Sequence, residues 1–291
     1  MIKDEEDGKI LYFAYGSNMH WGDWSRWCEK EGENPKGLVE IGVGWLPDYS
    51  LLFHYHSTGR NGGAADLSKI APGSAAPGVL FEVDPRTLQV IDKKEGHPNY
   101  YRRVWVEVMT PDGEMVRAIT YLVVPERVSE NHIAPTGEYV DLIRTGLTQR
   151  DLPVSDLENA VADGGMHFPI KDIFVYGTLR EGEVRHNLIE RLGGTKISNA
   201  TCENAVLYDL GTFPGMTTGH GIVSGEIYRF NDMFTVLQEL DWVEGAPPHG
   251  KLYRRHIMKV QSDSSSTWVW VYLYNGKDMA AKIDSGDWLD R

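Results

Sequence analysis

Two segments of this chain set a tyrosine, a glycine and a hydroxyl residue at the end of a strand-like run: Leu11-Tyr-Phe-Ala-Tyr-Gly-Ser-Asn-Met19 and Ile173-Phe-Val-Tyr-Gly-Thr-Leu-Arg180. Each β-branched and aromatic run breaks abruptly at Tyr-Gly, the pattern of a buried strand entering a tight turn. Glycine there lets the backbone approach a ligand and face its N–H groups toward it, so recognition needs no particular side chain. A lone Tyr-Gly-Ser is an ordinary turn. Here each is followed by a Glu-Gly pair, at Glu95-Gly96, 80 positions after Tyr15, and at Glu244-Gly245, 68 after Tyr176.

The landmarks between and beyond these residues also recur in order. The first copy reads Gly78-Val-Leu-Phe-Glu-Val-Asp84, Ile91-Asp92, Glu95-Gly96, Tyr101-Arg102-Arg103 and Tyr121-Leu122. The second reads Gly225-Glu-Ile-Tyr-Arg-Phe-Asn231, Leu240-Asp241, Glu244-Gly245, Tyr253-Arg254-Arg255 and Tyr272-Leu273. Landmarks that keep their order while the spacings change point to one design built twice.

The elements that must position these residues are short strands separated by turn signals. Strands are expected at Tyr49 to His56, Val79 to Val83, Tyr101 to Val108 and Arg117 to Val124, then at Ala205 to Leu210, Val223 to Phe230, Arg254 to Val260 and Thr267 to Tyr274. Helices are expected at Gly22 to Lys30, Arg86 to Lys94, Gly137 to Thr145, Val154 to Ala162, Arg185 to Arg191 and Met233 to Leu240. The reading is α+β: two tandem antiparallel-rich barrels of mixed sheet with flanking helices, over residues 9–163 and 171–291. The seam is the Gly- and Pro-bearing stretch Gly164-Gly-Met-His-Phe-Pro169, and Ser262 to Thr267 reads as an exposed hairpin tip.

Composition bounds the function. The 291 residues, 41% hydrophobic and 24% charged, suffice for two cores. Cys28 and Cys202, one per copy, suggest no disulfide framework and fit a reducing compartment. The acidic opening Met1-Ile-Lys-Asp-Glu-Glu-Asp7 is unlike a secretory leader, and no apolar run approaches the roughly 20 residues of a membrane span, so a cytoplasmic protein without membrane partners is expected. A net charge of −13 with scattered Arg and Lys argues against nucleic acid.

Tyr15-Gly-Ser-Asn18, Gly63-Ala-Ala-Asp66, Gly78, Asp92 with Glu95-Gly96, and the Gly137 to Ala162 tail resemble the γ-glutamylcyclotransferases. Tyr176-Gly-Thr-Leu-Arg180, Gly211-Thr-Phe-Pro-Gly215, Leu240-Asp-Trp-Val-Glu-Gly245, Tyr253-Arg254 and Ser285-Gly-Asp-Trp288 resemble the γ-glutamylamine cyclotransferase and AIG2-like proteins. The resemblance implies a small γ-glutamyl substrate and no cofactor. The substrate's own α-amine attacks its γ-carbonyl, closing a five-membered ring as 5-oxoproline forms and an amine leaves. The protein must then orient the substrate, take the ammonium proton, stabilise an oxyanion and protonate the leaving amine. Glu95 and Glu244 are the carboxylates so implied, base first and acid second. Tyr15, Gly16, Ser17 and Asn18, and Tyr176, Gly177, Thr178 and Leu179, would cradle the glutamyl end through backbone N–H groups, with Tyr101, Arg102, Tyr253 and Arg254 in support. Each arginine is equally readable as a solvated edge-strand residue. A non-catalytic γ-glutamyl binding module and a hydrolase or acyltransferase remain alternatives, although no protein nucleophile with a partnered base is visible. Neither the leaving amine nor the oligomeric state follows from the sequence.

Other residues carry less. His54 and His56 share a strand face at a metal-compatible spacing, but no third ligand completes a site. His97 could tune Glu95, and Trp242 reads either as pocket lining or as core. The Gly42-Val-Gly44 pair lacks the surroundings of a dinucleotide site. The rigid Pro247-Pro-His-Gly250 stretch, longer than its counterpart in the first copy, is where the second site's leaving-group side would differ.

Overall fold

The computed structural model describes residues 8–263, 265–276 and 281–291. The acidic opening 1–7 and Ser264 of the expected hairpin tip lie outside them. Apart from the hairpin turn 111–114, the chain divides into two compact units, one ending at Pro169 and the other beginning at Ile170.

The first unit runs β1 (Ile10–Ala14), α1 (Trp21–Glu31), β2 (Val39–Pro47), β3 (Tyr49–Ser57), β4 (Gly62–Lys69), β5 (Ala75–Val83), α2 (Pro85–Glu95), β6 (Tyr101–Met109), β7 (Met115–Val123), α3 (Gly137–Thr148) and α4 (Ser155–Val161). Its barrel has the order β1-β5-β2-β6-β7, closed by a parallel β1–β7 pairing at Tyr12 and Ile119, while β3 and β4 form a separate hairpin. Closure removes the free edges that an open sheet would present.

The second unit runs β8 (Asp172–Val175), α5 (His186–Arg191), β9 (Thr195–Asp209), β10 (Pro214–Arg229), α6 (Met233–Val243), β11 (Tyr253–Gln261), β12 (Ser266–Tyr274) and β13 (Ala281–Lys282). Its five long-range strands repeat the same circuit. β8 pairs antiparallel with β10 and parallel with β12, β11 joins β12 to β9, and the β9–β10 hairpin closes the ring. The fold is therefore α+β, with two mixed-sheet barrels and flanking helices.

All six expected helices are present, each close to its expected bounds. Three strands were not expected, β2, β4 and the two-residue β13. β2 holds Gly42 and Gly44, which weaken its β signal, with Gly42 beside a bulge against β5. β4 is written in small residues, Gly62-Gly-Ala-Ala-Asp66, because the backbone at residues 133–135 lies directly over it. β9 and β10 also begin well before their hydrophobic runs.

The glycine landmarks Gly78 and Gly225 have one explanation in both barrels. A Cβ on Gly78 would lie 2.4 Å from the Ala14 carbonyl and 2.5 Å from the Phe13 ring, and one on Gly225 would lie 2.5 Å from the Val175 carbonyl and 2.6 Å from the Phe174 ring. These carbonyls immediately precede Tyr15 and Tyr176. Only a residue without a side chain lets the neighbouring strand pass where the first strand enters its turn. Among the described residues, no helix is long and apolar enough to cross a membrane.

Candidate active sites

Each Tyr-Gly turn opens into a pocket of about 580 Å³, measured to its open mouth. The tyrosine of the turn is a fastener. Tyr15 donates its phenol hydrogen to the Tyr121 carbonyl at 2.6 Å, and Tyr176 donates to the Tyr272 carbonyl at 2.6 Å. The residues that follow expose backbone donors. Among the described residues, the N–H groups of Gly16, Ser17 and Asn18, and of Gly177, Thr178 and Leu179, have no acceptor in the protein. All six residues line the pockets, so the two turns present donors to whatever enters.

The Glu-Gly pairs are helix ends as well as pocket walls. Glu95 is the last residue of α2 and Glu244 caps α6, and each helix stops at a left-handed glycine, Gly96 (φ 65°) or Gly245 (φ 57°). The aspartate three residues earlier pins each helix end to the barrel. Asp92 accepts from the Tyr121 phenol at 2.7 Å and from Arg103, while Asp241 accepts from the Tyr272 phenol at 2.8 Å and from Arg255 at 2.5 Å. Residues three apart share a helix face, so this anchoring turns each glutamate toward its pocket. Tyr101 and Tyr253 complete the frames, donating to the carbonyls of Ala65 at 2.8 Å and Pro214 at 2.5 Å.

The two carboxylates sit in different environments. Glu95 Oε1 accepts from the Asn18 amide at 2.7 Å, and the same Asn18 nitrogen also donates to the Tyr12 phenol oxygen at 2.8 Å. Lys94, with a side chain only 7% exposed, donates to Asn18 Oδ1 at 2.8 Å and to Asp23 at 3.1 Å. Arg60 reaches in from the β3–β4 turn, donating to Asp23 at 2.7 and 3.1 Å and to Ser17 Oγ at 2.8 Å, above the Tyr139 ring. Burial pushes the Glu95 carboxyl above its ordinary range, opposed by the Lys94 charge and the Asn18 hydrogen bond. Burial also pulls the Lys94 ammonium down. For Asp23 burial acts upward but Arg60 and Lys94 outweigh it, holding that carboxyl below the usual range.

Glu244 has no such company. Among the described residues its side chain makes no hydrogen bond or ion pair, and burial pushes its carboxyl up to about 7, opposed only by the charge of Arg185. Its pocket is walled by Phe174, Phe213, Pro214, Val243 and Leu252, with Arg185 at the rim. A carboxyl pushed up to about 7, lining the same pocket as a row of backbone N–H groups, can accept and return a proton while the donors hold an oxyanion.

Of the expected site residues, the turn residues, both glutamates, Tyr101 and Tyr253 line the pockets. Arg102 and Arg254 do not. Strand alternation sends Tyr101 and Tyr253 to one face and the next residue to the other, so the second arginine, Arg103 or Arg255, is the one that meets the aspartate. Trp242 is neither pocket lining nor core. At 69% exposure it packs edge-on against His249, because two residues along a helix from Glu244 lies on nearly the opposite face. His97 packs against the Tyr121 ring, and His54 bonds Asp66 at 2.6 Å, while Asp66 also accepts from the Val123 N–H. Cys28 and Cys202 are buried free thiols, and burial pushes Cys202 up to about 12. Arg60, Lys94, Tyr12, Tyr139 and Arg185 were not singled out by sequence. Only Lys94, adjacent to Glu95, had a positional signal.

The family described as gamma-glutamyl cyclotransferase, AIG2-like, matches this chain twice, over residues 12–141 and 173–290. The gamma-glutamylcyclotransferase family protein YtfP of Escherichia coli is 35% identical over 119 residues, 41% of this chain and 96% of that protein. The gamma-L-glutamyl-butirosin B gamma-glutamyl cyclotransferase of Niallia circulans is 30% identical over 109 residues, 37% of this chain and 69% of that protein. The gamma-glutamylcyclotransferase of Bos taurus is 25% identical over 159 residues, 53% of this chain and 78% of that protein. Among solved structures, a gamma-glutamyl cyclotransferase is 26% identical with a TM-score of 0.44, covering 53% of this chain and 87% of its own. YkqA of Bacillus subtilis is 15% identical with a TM-score of 0.42, covering 94% of this chain and 86% of its own. The two matched segments hold both Tyr-Gly turns and both glutamates, and the chain belongs to the gamma-glutamyl cyclotransferase, AIG2-like family as a tandem of two copies.

Proposed function

We propose that this protein is a γ-glutamyl cyclotransferase, converting a γ-glutamyl amide into 5-oxoproline and the free amine, with Glu244 as the principal proton carrier. The observation that carries this reading is the Glu244 carboxyl, without a hydrogen-bond partner among the described residues and pushed by burial up to about 7, lining the same pocket as Gly177, Thr178 and Leu179, whose N–H groups have no acceptor there. The substrate's α-ammonium loses a proton to Glu244, and its nitrogen then bonds to the γ-carbonyl carbon. The carbonyl oxygen takes the negative charge and is held by the turn. The carbon–nitrogen bond of the amide breaks as the oxyanion collapses. Both protons lost from the attacking nitrogen end on the departing amine as its ammonium, so no water is consumed. Proton transfer of this kind is worth about 10²- to 10⁴-fold; holding the amine against the carbonyl supplies much of the rest.

Turnover in ¹⁸O-labelled water tests the reaction type. Cyclisation gives 5-oxoproline without label, whereas labelled glutamate would replace this reading with a hydrolase.

For the first pocket the occupied Glu95 carboxylate favours a second reading, a site that binds a γ-glutamyl compound and turns it over slowly. The buried free thiols support a reducing compartment such as the cytoplasm.

A further inference from the structure

Arg185 is the cation of the second pocket, and its surroundings are unlike those of Arg60 in the first. Arg60 is spent on Asp23 and Ser17. Arg185 is exposed at the pocket rim, and among the described residues its guanidinium makes no hydrogen bond or ion pair. Its backbone N–H donates to the Thr178 carbonyl at 2.9 Å, which ties the root of the side chain to the Tyr-Gly-Thr turn. Its charge is felt at both Glu244 and Tyr253. Gly177, Thr178 and Leu179 of the turn are buried while Arg185 is exposed, so a group reaching the guanidinium belongs to the part of a ligand that points outward. The wall beside that outward path is apolar, formed by Phe213, Val243 and Leu252.

We infer that Arg185 is a specificity-determining residue of the second pocket, which selects leaving amines carrying a carboxylate and an apolar side chain: the carboxylate pairs with Arg185 and the side chain lies against Phe213, Val243 and Leu252. A planar guanidinium gives a carboxylate two parallel donors, and one without a partner inside the protein loses no existing bond when it binds. The inference rests on the cyclotransferase reading for the identity of the inner, glutamyl end.

The test uses the full chain carrying Glu95→Gln, which confines proton transfer to the second pocket. Three substrates are compared: γ-glutamyl-leucine, γ-glutamyl-isopentylamine, which is the same amide without the carboxylate, and γ-glutamyl-glycine, which lacks the side chain. The expected kcat/KM for γ-glutamyl-leucine exceeds each of the others by about tenfold or more, the range of a charge-assisted hydrogen bond or a filled apolar wall. Arg185→Gln also removes the charge that opposes the raised Glu244 pKa and so changes all three substrates together; beyond that shared change it lowers kcat/KM for γ-glutamyl-leucine and γ-glutamyl-glycine about tenfold relative to γ-glutamyl-isopentylamine, through KM, while Arg185→Lys restores part of that ratio. Equal rates for the leucine and isopentylamine substrates overturn the assignment. So does an equal loss on all three in Arg185→Gln, which would put the guanidinium on the glutamyl end. If no substrate yields 5-oxoproline, calorimetry with the Glu95→Gln, Glu244→Gln chain separates the two claims. A carboxylate preference abolished by Arg185→Gln then upholds the role of Arg185 while the cyclotransferase reading fails; absence of that preference overturns both.

Discussion

Asn18 donates to Glu95 across 2.7 Å, and the residue at the same place in the second turn is Leu179, whose side chain has no hydrogen to give. Two changes of residue type, Asn18 against Leu179 in the turn and Lys94 against Val243 before the glutamate, separate a carboxylate held by an amide and a cation from one left alone in an apolar wall. The two barrels repeat each other in Tyr15 and Tyr176, Asp92 and Asp241, and Tyr121 and Tyr272, so the difference lies in the site and not in its scaffold.

Leu179→Asn should move the second site toward the first. An amide donor favours the ionised carboxyl, so the Glu244 pKa falls from about 7, and the acidic limb of the pH–rate profile moves to lower pH. The rate on that limb rises with pH because the base form does the work. A profile measured in the Glu95→Gln background checks this; a limb that stays in place, or moves up, contradicts the assignment of Glu244 as the titrating base.

Asp156 gives a stability prediction in the first unit. Its Oδ2 accepts from the Leu51 N–H at 3.0 Å while its Oδ1 is buried without a partner, and burial raises its pKa to about 7. A carboxyl with a folded pKa above its unfolded one binds more protons folded than unfolded between about pH 4 and 7, so its contribution to stability falls as pH rises through that window. Asp156→Asn removes the charge and keeps an acceptor for Leu51. The variant should melt several degrees higher than the native chain at pH 8 and match it near pH 4. Equal melting temperatures at pH 8 would show that Asp156 carries no such penalty.

Gly225→Ala should be among the costly small substitutions of the second unit. Its Cβ would meet backbone, the Val175 carbonyl at 2.5 Å, as well as the Phe174 ring, so relief requires movement of the strand that leads into Tyr176. A loss of about 2 kcal/mol or more in denaturant unfolding is expected, together with lower turnover. Gly211→Ala, with nothing within 4 Å but at φ 95°, separates crowding from backbone strain, and its cost should be nearer 1 kcal/mol. If Gly225→Ala is the milder of the two, the close approach is not what the glycine serves.

The framework was legible because its landmarks are forced by geometry. Gly78 and Gly225, the Asp-x-x-Glu-Gly helix ends and the fastening tyrosines each permit few residue types, so they recur in the sequence and mark the site. The missing pieces lacked such constraints. β2 and β4 owe their strand state to neighbours that override weak β propensity. Arg60 and Tyr139 reach the first pocket from elements far from the Tyr-Gly turn in sequence, and no local pattern announces that convergence. The choice of Arg102 over Arg103, and of Arg254 over Arg255, failed by one residue because a strand's facing depends on its register.

On the proposed reading, Glu244 carries the proton for an intramolecular cyclisation and Glu95 is the weaker carrier. Release of 5-oxoproline from γ-glutamyl amides by the native chain, Glu95→Gln, Glu244→Gln and the double variant tests it most directly. Glu244→Gln should lower the rate by about 10² or more and Glu95→Gln by a small factor, with the double variant near background. Unchanged 5-oxoproline release in Glu244→Gln would remove Glu244 as the proton carrier, and none from the native chain on any γ-glutamyl amide it binds would remove the cyclisation itself.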